Sequence, residues 1–408
     1  MRRVVVTGMG VISALGCGVA KSYERLHRYQ NAVVRMDDLT KYRGLNAYLA
    51  SPVTDFVIPA HYNRKTLRSM GPVSVMALAA TEQALTQAGL LNDDILTNGR
   101  TGVAYGSSFG SVDPIIDFLG MIKNNEIGAI TSSTYIRMMP HTTAVNLSVH
   151  FQTTGRLIPT GTACTSGSLA IGFSYENIMS GAQDIMIAGG AEEFSPTQIA
   201  VFDTLYATSV QNDRPANTPA PFDVSRDGLV IGEGAGTLIL EEYDHAKQRN
   251  APILAEIVGF GTNTDGTHIT QPNNRTMAEC MKLALSSARL APEKIGYINA
   301  HGTATRFGDI AESTATEAIF GNKVPISSLK SYVGHTLGAC GALEAIWSIQ
   351  MMNDGWFAPT LNLKHPDDQC GKLDYIMNEA RTFDADYVMS NNFAFGGINI
   401  SLIFRRYD

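Results

Sequence analysis

Arg3-Val-Val-Val-Thr-Gly-Met-Gly10, near the start of this 408-residue chain, is answered in its second half by Ala255-Glu-Ile-Val-Gly-Phe-Gly261. Both stretches run through β-branched residues that suit a pleated strand, and both break into paired glycines. Two further pairs keep the same order. Gly161-Thr-Ala-Cys-Thr-Ser-Gly-Ser-Leu-Ala-Ile-Gly172 is answered by Gly334-His-Thr-Leu-Gly-Ala-Cys-Gly-Ala-Leu-Glu-Ala-Ile346, and Gly236-Thr-Leu-Ile-Leu-Glu-Glu242 by Asn399-Ile-Ser-Leu-Ile-Phe-Arg405. One βαβ-rich unit is therefore used twice, which sets an α/β fold with two similar halves, 1–250 and 251–408. A chain of this length also exceeds one ordinary core.

Within the second pair, Cys164 stands among Gly, Ala and Ser just ahead of a helix-like apolar run. A helix N-terminus offers unpaired N–H groups and the positive end of the dipole, so the thiolate is expected to be favoured there. A lone cysteine is more often a small buried hydrophobe. Two histidine motifs argue otherwise: Asn299-Ala-His-Gly-Thr-Ala-Thr-Arg-Phe-Gly-Asp-Ile-Ala-Glu312 and Ser328-Leu-Lys-Ser-Tyr-Val-Gly-His335. In each, an apolar strand gives way to glycine, which sets His301, and Lys330 shortly before His335, at the carboxyl edge of a sheet where α/β active sites gather.

The remaining composition narrows the classes. Met1-Arg-Arg followed by apolar residues to Ala20 has the outline of a secretory leader, yet Thr7, Gly8 and Gly10 interrupt it and Val4–Val6 belongs to the repeat, so it reads as a core strand. No stretch approaches the ~20 apolar residues of a membrane span. Five cysteines without paired spacing, and no Cys/His cluster of metal-ligand type, point to reduced thiols in a cytoplasm and to no metal. Cys17, Cys280, Cys340 and Cys370 read as structural. A net charge of −7 excludes nucleic acid as a main partner. His61-Tyr-Asn-Arg-Lys-Thr-Leu-Arg68 concentrates Arg64, Lys65 and Arg68 on a local basic patch, in itself the usual mark of a solvated face.

The three motifs, with Ser390-Asn-Asn-Phe-Ala-Phe-Gly-Gly-Ile-Asn399 and Pro221-Phe-Asp-Val-Ser-Arg-Asp-Gly-Leu-Val-Ile-Gly-Glu-Gly-Ala-Gly236, closely resemble the elongating β-ketoacyl-acyl carrier protein synthases, including those of type II polyketide and aryl-polyene systems. The resemblance runs from Val4 to Phe404. It implies the thiolase fold, a five-layered α-β-α-β-α sandwich, with the first half enlarged around 31–66 and 110–140. It implies a decarboxylative condensation in which Cys164 holds an acyl chain and His301 and His335, as neutral Nε2–H donors, stabilise the enolate of a malonyl carrier protein. Lys330 would bias the histidines and anchor a Glu344 network. Thr303 and Thr305 would bind pantetheine amides, and the N–H groups of Cys164 and Phe395 would form the oxyanion hole, with Phe395 as a gate. Phe109 would floor the acyl pocket, often across a dimer interface.

The same resemblance implies acyl carrier protein as partner at Arg64, Lys65 and Arg68, with substrates carried on its phosphopantetheine and no other cofactor. A homodimer, or a heterodimer with a chain-length-factor paralogue, is expected. Ala394 stands where relatives have glycine, Ile398 where they have threonine and Arg306 where they have proline; the last two point toward specialised metabolism. A non-catalytic partner subunit is the competing reading, and the intact Cys164, His301 and His335 argue against it. Thiolases would need a second catalytic cysteine, and Cys340 falls at a position the elongating family fills with a small residue.

Overall fold

The computed structural model describes residues 2–407, and the repeat that opens the sequence is its axis. Strands β1 (Val4–Ser13) and β6 (Ala255–Thr264) pair antiparallel through Val4–Ile257, Val5–Glu256 and Val6–Ala255. Around β1 the first half adds β2 (Thr101–Gly106), β3 (Leu157–Pro159), β4 (Ile185–Glu192) and β5 (Gly234–Glu242), in the order β3-β2-β4-β5-β1. The second half adds β7 (Tyr297–Asn299), β8 (Pro325–Ser327), β9 (Asp374–Tyr375), β10 (Tyr387–Ala394) and β11 (Ile398–Arg405), in the order β8-β7-β10-β11-β6 with β9 outside β8. The two orders are the same.

The glycines of the repeat have a shared cause. The β1–β5 ladder slips register between Val6 and Gly8, and the β6–β11 ladder slips at the equivalent place, between Ile257 and Gly259. A Cβ on Gly8 or Gly10 would lie 2.0 or 1.8 Å from the carbonyl oxygens of Ala84 and Ala80 in helix α1 (Pro72–Ala88). On Gly259 or Gly261 it would lie 2.6 or 2.3 Å from those of Ala284 and Cys280. A helix therefore rides directly on each central strand, closer than any side chain allows. Within the stretch with the outline of a leader, Val4–Ser13 is thus a strand buried at every position.

The other main helices are α2 (Asp113–Asn124), α3 (Ser132–Met138), α4 (Thr142–Phe151), α5 (Ser166–Met179), α6 (Asn274–Ala288), α7 (Arg306–Phe320) and α8 (Cys340–Asp354). Helices α1 and α4 cover one outer face, α6 and α7 the other, while α5 and α8 pack on each other between the two halves of the continuous sheet. The result is the expected five-layered sandwich. The α8 side chains from Cys340 to Ile349 are all buried, including Trp347, as a helix walled in by two sheets requires. Residues 31–66 contribute two strands, Val34–Arg35 and Leu49–Ser51, of a small sheet that Ile231–Gly232 completes, and lead into the short helix Arg64–Leu67, while 110–140 contributes α2 and α3. Among the described residues no helix is long and apolar enough to cross a membrane.

Candidate active site

The site forms where the two inner helices begin. Each is preceded by one 3₁₀ turn, Ala163–Thr165 before α5 and Leu337–Ala339 before α8. Ala163 and Leu337 both adopt a left-handed backbone, φ 50° and 45°, which non-glycine residues hold only when their surroundings force it. Cys164 and Gly338 therefore occupy equivalent places, each one residue past the strained position. His301 follows β7 and His335 follows β8 after the turn Lys330–Val333, as their strand-to-glycine motifs lead one to expect.

These elements bring the Cys164 sulfur and a ring nitrogen of each histidine within 4.8 Å of one another, all buried. The imidazoles meet edge to face at 5.2 Å. His335 Nδ1 accepts the N–H of Leu337 at 3.3 Å, and His301 Nδ1 accepts the amide of Asn392 at 3.5 Å. Both rings must then carry their proton on Nε2, an assignment made by the hydrogen-bond network. The Nε2 atom of His335 is buried and has no partner among the described residues. Burial, and then the Lys330 ammonium, hold both histidines well below the ordinary imidazole range, so both are neutral.

Lys330 is itself buried and donates to Glu344 at 2.5 Å, while Glu344 also accepts the Asn392 amide at 2.8 Å. Burial alone would lower the lysine, but the carboxylate beside it holds it above its ordinary value, and it stays an ammonium. Asn392 joins this pair to His301. Cys340, expected only to pack, donates its thiol hydrogen to the carbonyl of Cys164 at 3.1 Å and so ties α8 to the nucleophile's turn.

The ionisation expected of Cys164 is corrected by the structure. Burial pushes its thiol up to about 12, and the Lys330 charge and the N–H groups of Phe395 and Cys164 itself only partly oppose this. The sequence shows the helix terminus but not the depth at which it is buried, and desolvation is the larger effect.

Those two N–H groups lie against the sulfur. The equivalent turn shows what such a geometry holds: the N–H of Gly338 donates to the carboxylate of Glu192 at 3.0 Å.

A cavity of about 510 Å³ opens onto Cys164, His301 and His335, and Thr303, Thr305 and Phe395 share its lining. The two threonine hydroxyls bond each other at 2.9 Å. Arg306, Phe307 and Tyr206 also line it, the last two widely exposed. Phe109 is not brought to this cavity. It is 39% exposed in the Ser107–Gly110 turn. Arg64, Lys65 and Arg68 are exposed on and beside their short helix, also away from the lining.

Two residues escaped the sequence reading although their motif was in view. Glu312 accepts the N–H groups of His301 and Gly302, each at 2.7 Å, and Asp309, one turn earlier on α7, accepts those of Phe222 at 2.7 Å and Ala304 at 3.1 Å. Together they pin the loop that carries His301 and the threonines. Burial raises Glu312 to about 8 and Asp309 to about 6. Their i,i+3 spacing in Asp309-Ile-Ala-Glu312 is the signal that places them on one face.

Comparison with known proteins now adds its own findings. Residues 1–246 match the family model for the β-ketoacyl synthase N-terminal domain, and 254–364 the model for its C-terminal domain. A 3-oxoacyl-[acyl-carrier-protein] synthase 2 of Vibrio cholerae is 38% identical over 99% of both chains. The crystal structure of a β-ketoacyl synthase from Burkholderia phymatum superposes with a TM-score of 0.99 at 58% identity, covering 100% of each chain. The ishigamide ketosynthase/chain length factor gives 0.91 at 31%, and a type II polyketide acyl-carrier protein in complex with its ketosynthase gives 0.87 at 32%, each over 100% of both chains.

Proposed function

The chain belongs to the β-ketoacyl synthases and is a condensing acyltransferase, and on that footing we propose how its own residues divide the reaction. The observation that carries the assignment is the convergence of two buried histidines, each with its Nδ1 engaged elsewhere, on one buried cysteine. In the first step Cys164 attacks the thioester of an acyl carrier protein. The new S–C bond replaces the old one, and the thiol proton leaves with the carrier's sulfur, so no free thiolate need persist at the buried site. The developing oxyanion is held by the N–H groups of Cys164 and Phe395.

In the second step malonyl carrier protein replaces the first carrier, its pantetheine amides meeting Thr303 and Thr305. The malonyl C–C bond breaks, carbon dioxide leaves, and the electron pair forms an enolate whose oxygen accepts both Nε2–H groups. The carbanion attacks the acyl carbon on Cys164, the C–S bond breaks, and the sulfur regains a proton. The product is a β-ketoacyl carrier protein two carbons longer. Lys330 remains charged to keep both histidines neutral. No cofactor beyond the carriers' phosphopantetheine takes part in this scheme.

The proposed partners follow from the surface. The exposed Arg64, Lys65 and Arg68 suit an acidic carrier protein steered by charge. Ile116, Leu119 and Ile122 expose an apolar stripe on α2, whose Phe118 meets Tyr135 of α3 edge to face, and Leu157 is exposed on β3, which closes one end of the sheet. An exposed apolar stripe and an unpaired strand edge each mark a protein interface, and we assign them to a dimer mate, a second copy or a chain-length-factor paralogue. Phe109 is exposed as well, and we assign its covering to the same mate. All five thiols are free, in keeping with a reducing cytoplasm.

Incubating the protein with acyl and malonyl carrier proteins and weighing the products tests the proposal. A β-ketoacyl product two carbons longer supports it. Turnover unaffected by His301→Ala would refute the roles assigned.

A further inference from the structure

The chain has no Cys/His run of metal-ligand spacing, yet three separate elements bring together the ligand set of a zinc site. The sulfur of Cys164 and a ring nitrogen of each of His301 and His335 lie within 4.8 Å of one another, and all three residues are buried. Ligand atoms around a tetrahedral zinc ion stand roughly 3.3–3.6 Å apart, so small side-chain rotations would close the trio on one. The Nε2 of His335 is buried without a partner among the described residues, and the catalytic cavity reaches all three side chains. A thiolate, two imidazoles and an open fourth position are a set that zinc accepts. A cysteine so ligated could not take an acyl chain.

The groups behind the histidines oppose that capture. A histidine that binds metal through Nε2 carries its remaining proton on Nδ1 and donates it to a carboxylate, a carbonyl or water. Here both Nδ1 atoms face donors instead. The N–H of Leu337 points at that of His335 at 3.3 Å, and the Asn392 amide nitrogen at that of His301 at 3.5 Å. The Asn392 amide is not free to turn round. Its nitrogen also donates at 2.8 Å to Glu344, which Lys330 holds at 2.5 Å, while its oxygen is buried with no partner among the described residues. Turned round, that oxygen would face the Glu344 carboxylate, acceptor against acceptor.

We propose that Asn392 is a positioning residue that keeps the Cys164–His301–His335 trio free of metal, its amide presenting N–H to the ring atom at which a zinc-bound His301 would need an acceptor. Binding would release the Cys164 proton to solvent and move each ring proton from Nε2 to Nδ1, leaving N–H facing N–H at both histidines. The Lys330 ammonium also repels a cation, but it is common to every variant compared and cancels between them. The inference goes beyond the condensing scheme and is read without any acyl substrate.

Asn392→Asp supplies the missing acceptor, and Asn299→Asp is its control. Asn299 also reaches Glu344, at 3.4 Å, but its other bond is to the Ser390 hydroxyl at 3.2 Å rather than to a histidine, so aspartate there adds the same charge to the same network. The full-length protein and both variants are titrated with Zn²⁺ against a competing chromophoric chelator, and with Co²⁺ to follow thiolate-to-cobalt charge-transfer absorption. Asn392→Asp is expected to bind Zn²⁺ about 10–100-fold more tightly than the wild type, the usual worth of a carboxylate behind a metal-bound histidine, with a Co²⁺ band that Cys164→Ala removes. Asn299→Asp should stay near the wild-type affinity. Equal affinity in Asn392→Asp and wild type, an equal gain in Asn299→Asp, or a cysteine-dependent Co²⁺ band as strong in the wild type would overturn the proposal. If Asn392→Asp does not fold, Asn392→Ala, which removes the opposing donor, should still gain about tenfold, the worth of one buried hydrogen bond, and no gain there overturns it.

Discussion

The N–H of Gly338 donates to the Glu192 carboxylate at the place the internal repeat equates with the N–H of Cys164. The fold has duplicated an anion-holding turn, filled one copy with its own side chain and left the other facing a cavity. This is an internal precedent for the oxyanion hole, because the same strained turn already binds an oxygen anion in its twin.

The depth of Cys164 sets its reactivity. With burial holding the thiol up to about 12, iodoacetamide labelling of the acyl-free protein should accelerate about tenfold per pH unit from pH 7 to 10 without levelling. A plateau near neutral pH would restore the thiolate expected from the helix terminus.

The histidines should separate the two half-reactions. His301→Ala and His335→Ala are each expected to cost condensation about 10²–10³-fold, the worth of a donor to a developing oxyanion, while an acyl chain still loads onto Cys164. Loading lost in parallel with condensation would assign them to acyl transfer instead.

The same neutrality couples stability to pH. A buried histidine held below its unfolded value binds no proton when the unfolded chain does, so its contribution is present above about pH 6.5 and falls away below it, by about 1.4 kcal/mol per pH unit. The raised carboxylates Glu312, Asp309 and Glu192 act in the opposite direction. Comparison with His335→Asn isolates the histidine. Its unfolding free energy should fall less steeply than the wild type between pH 6.5 and 5, and identical slopes would mean that His335 titrates normally.

Lys330 and Glu344 should fail singly and recover together. Lys330→Met strands a buried carboxylate at a cost of roughly 3–5 kcal/mol in chemical denaturation, and adding Glu344→Leu should restore much of it without restoring condensation. A mild single-mutant effect would show that Glu344 is neutral in the native protein.

The α2 stripe should govern assembly. Ile116→Asp with Leu119→Asp is expected to yield a folded monomer in analytical ultracentrifugation, whereas an unchanged oligomer would place the mate elsewhere.

The central strands were legible because a run of β-branched residues ending in two glycines is rare, and the repeat marks it twice. Cys164, His301 and His335 were legible for a related reason: each sits where an apolar segment breaks into small residues. What escaped depends on contacts distant in sequence. Asn392 reaches His301 and Glu344, and Glu192 reaches Ser107 and Gly338, across separations no local pattern records. The thiol of Cys164 escaped because its charge depends on how deeply the sandwich encloses the turn. Phe109 was placed at the acyl pocket, and within one chain it faces outward, because that placement presumes a mate.

Intact-protein mass spectrometry after incubation with a panel of acyl carrier protein thioesters, beside Cys164→Ala, bears most directly on the whole account. It should show one acyl adduct on the wild-type protein, none on the variant, and a preferred chain length. An adduct that persists in Cys164→Ala, or none on the folded wild-type protein even when co-expressed with a chain-length-factor paralogue, would contradict the assignment of Cys164 as the nucleophile.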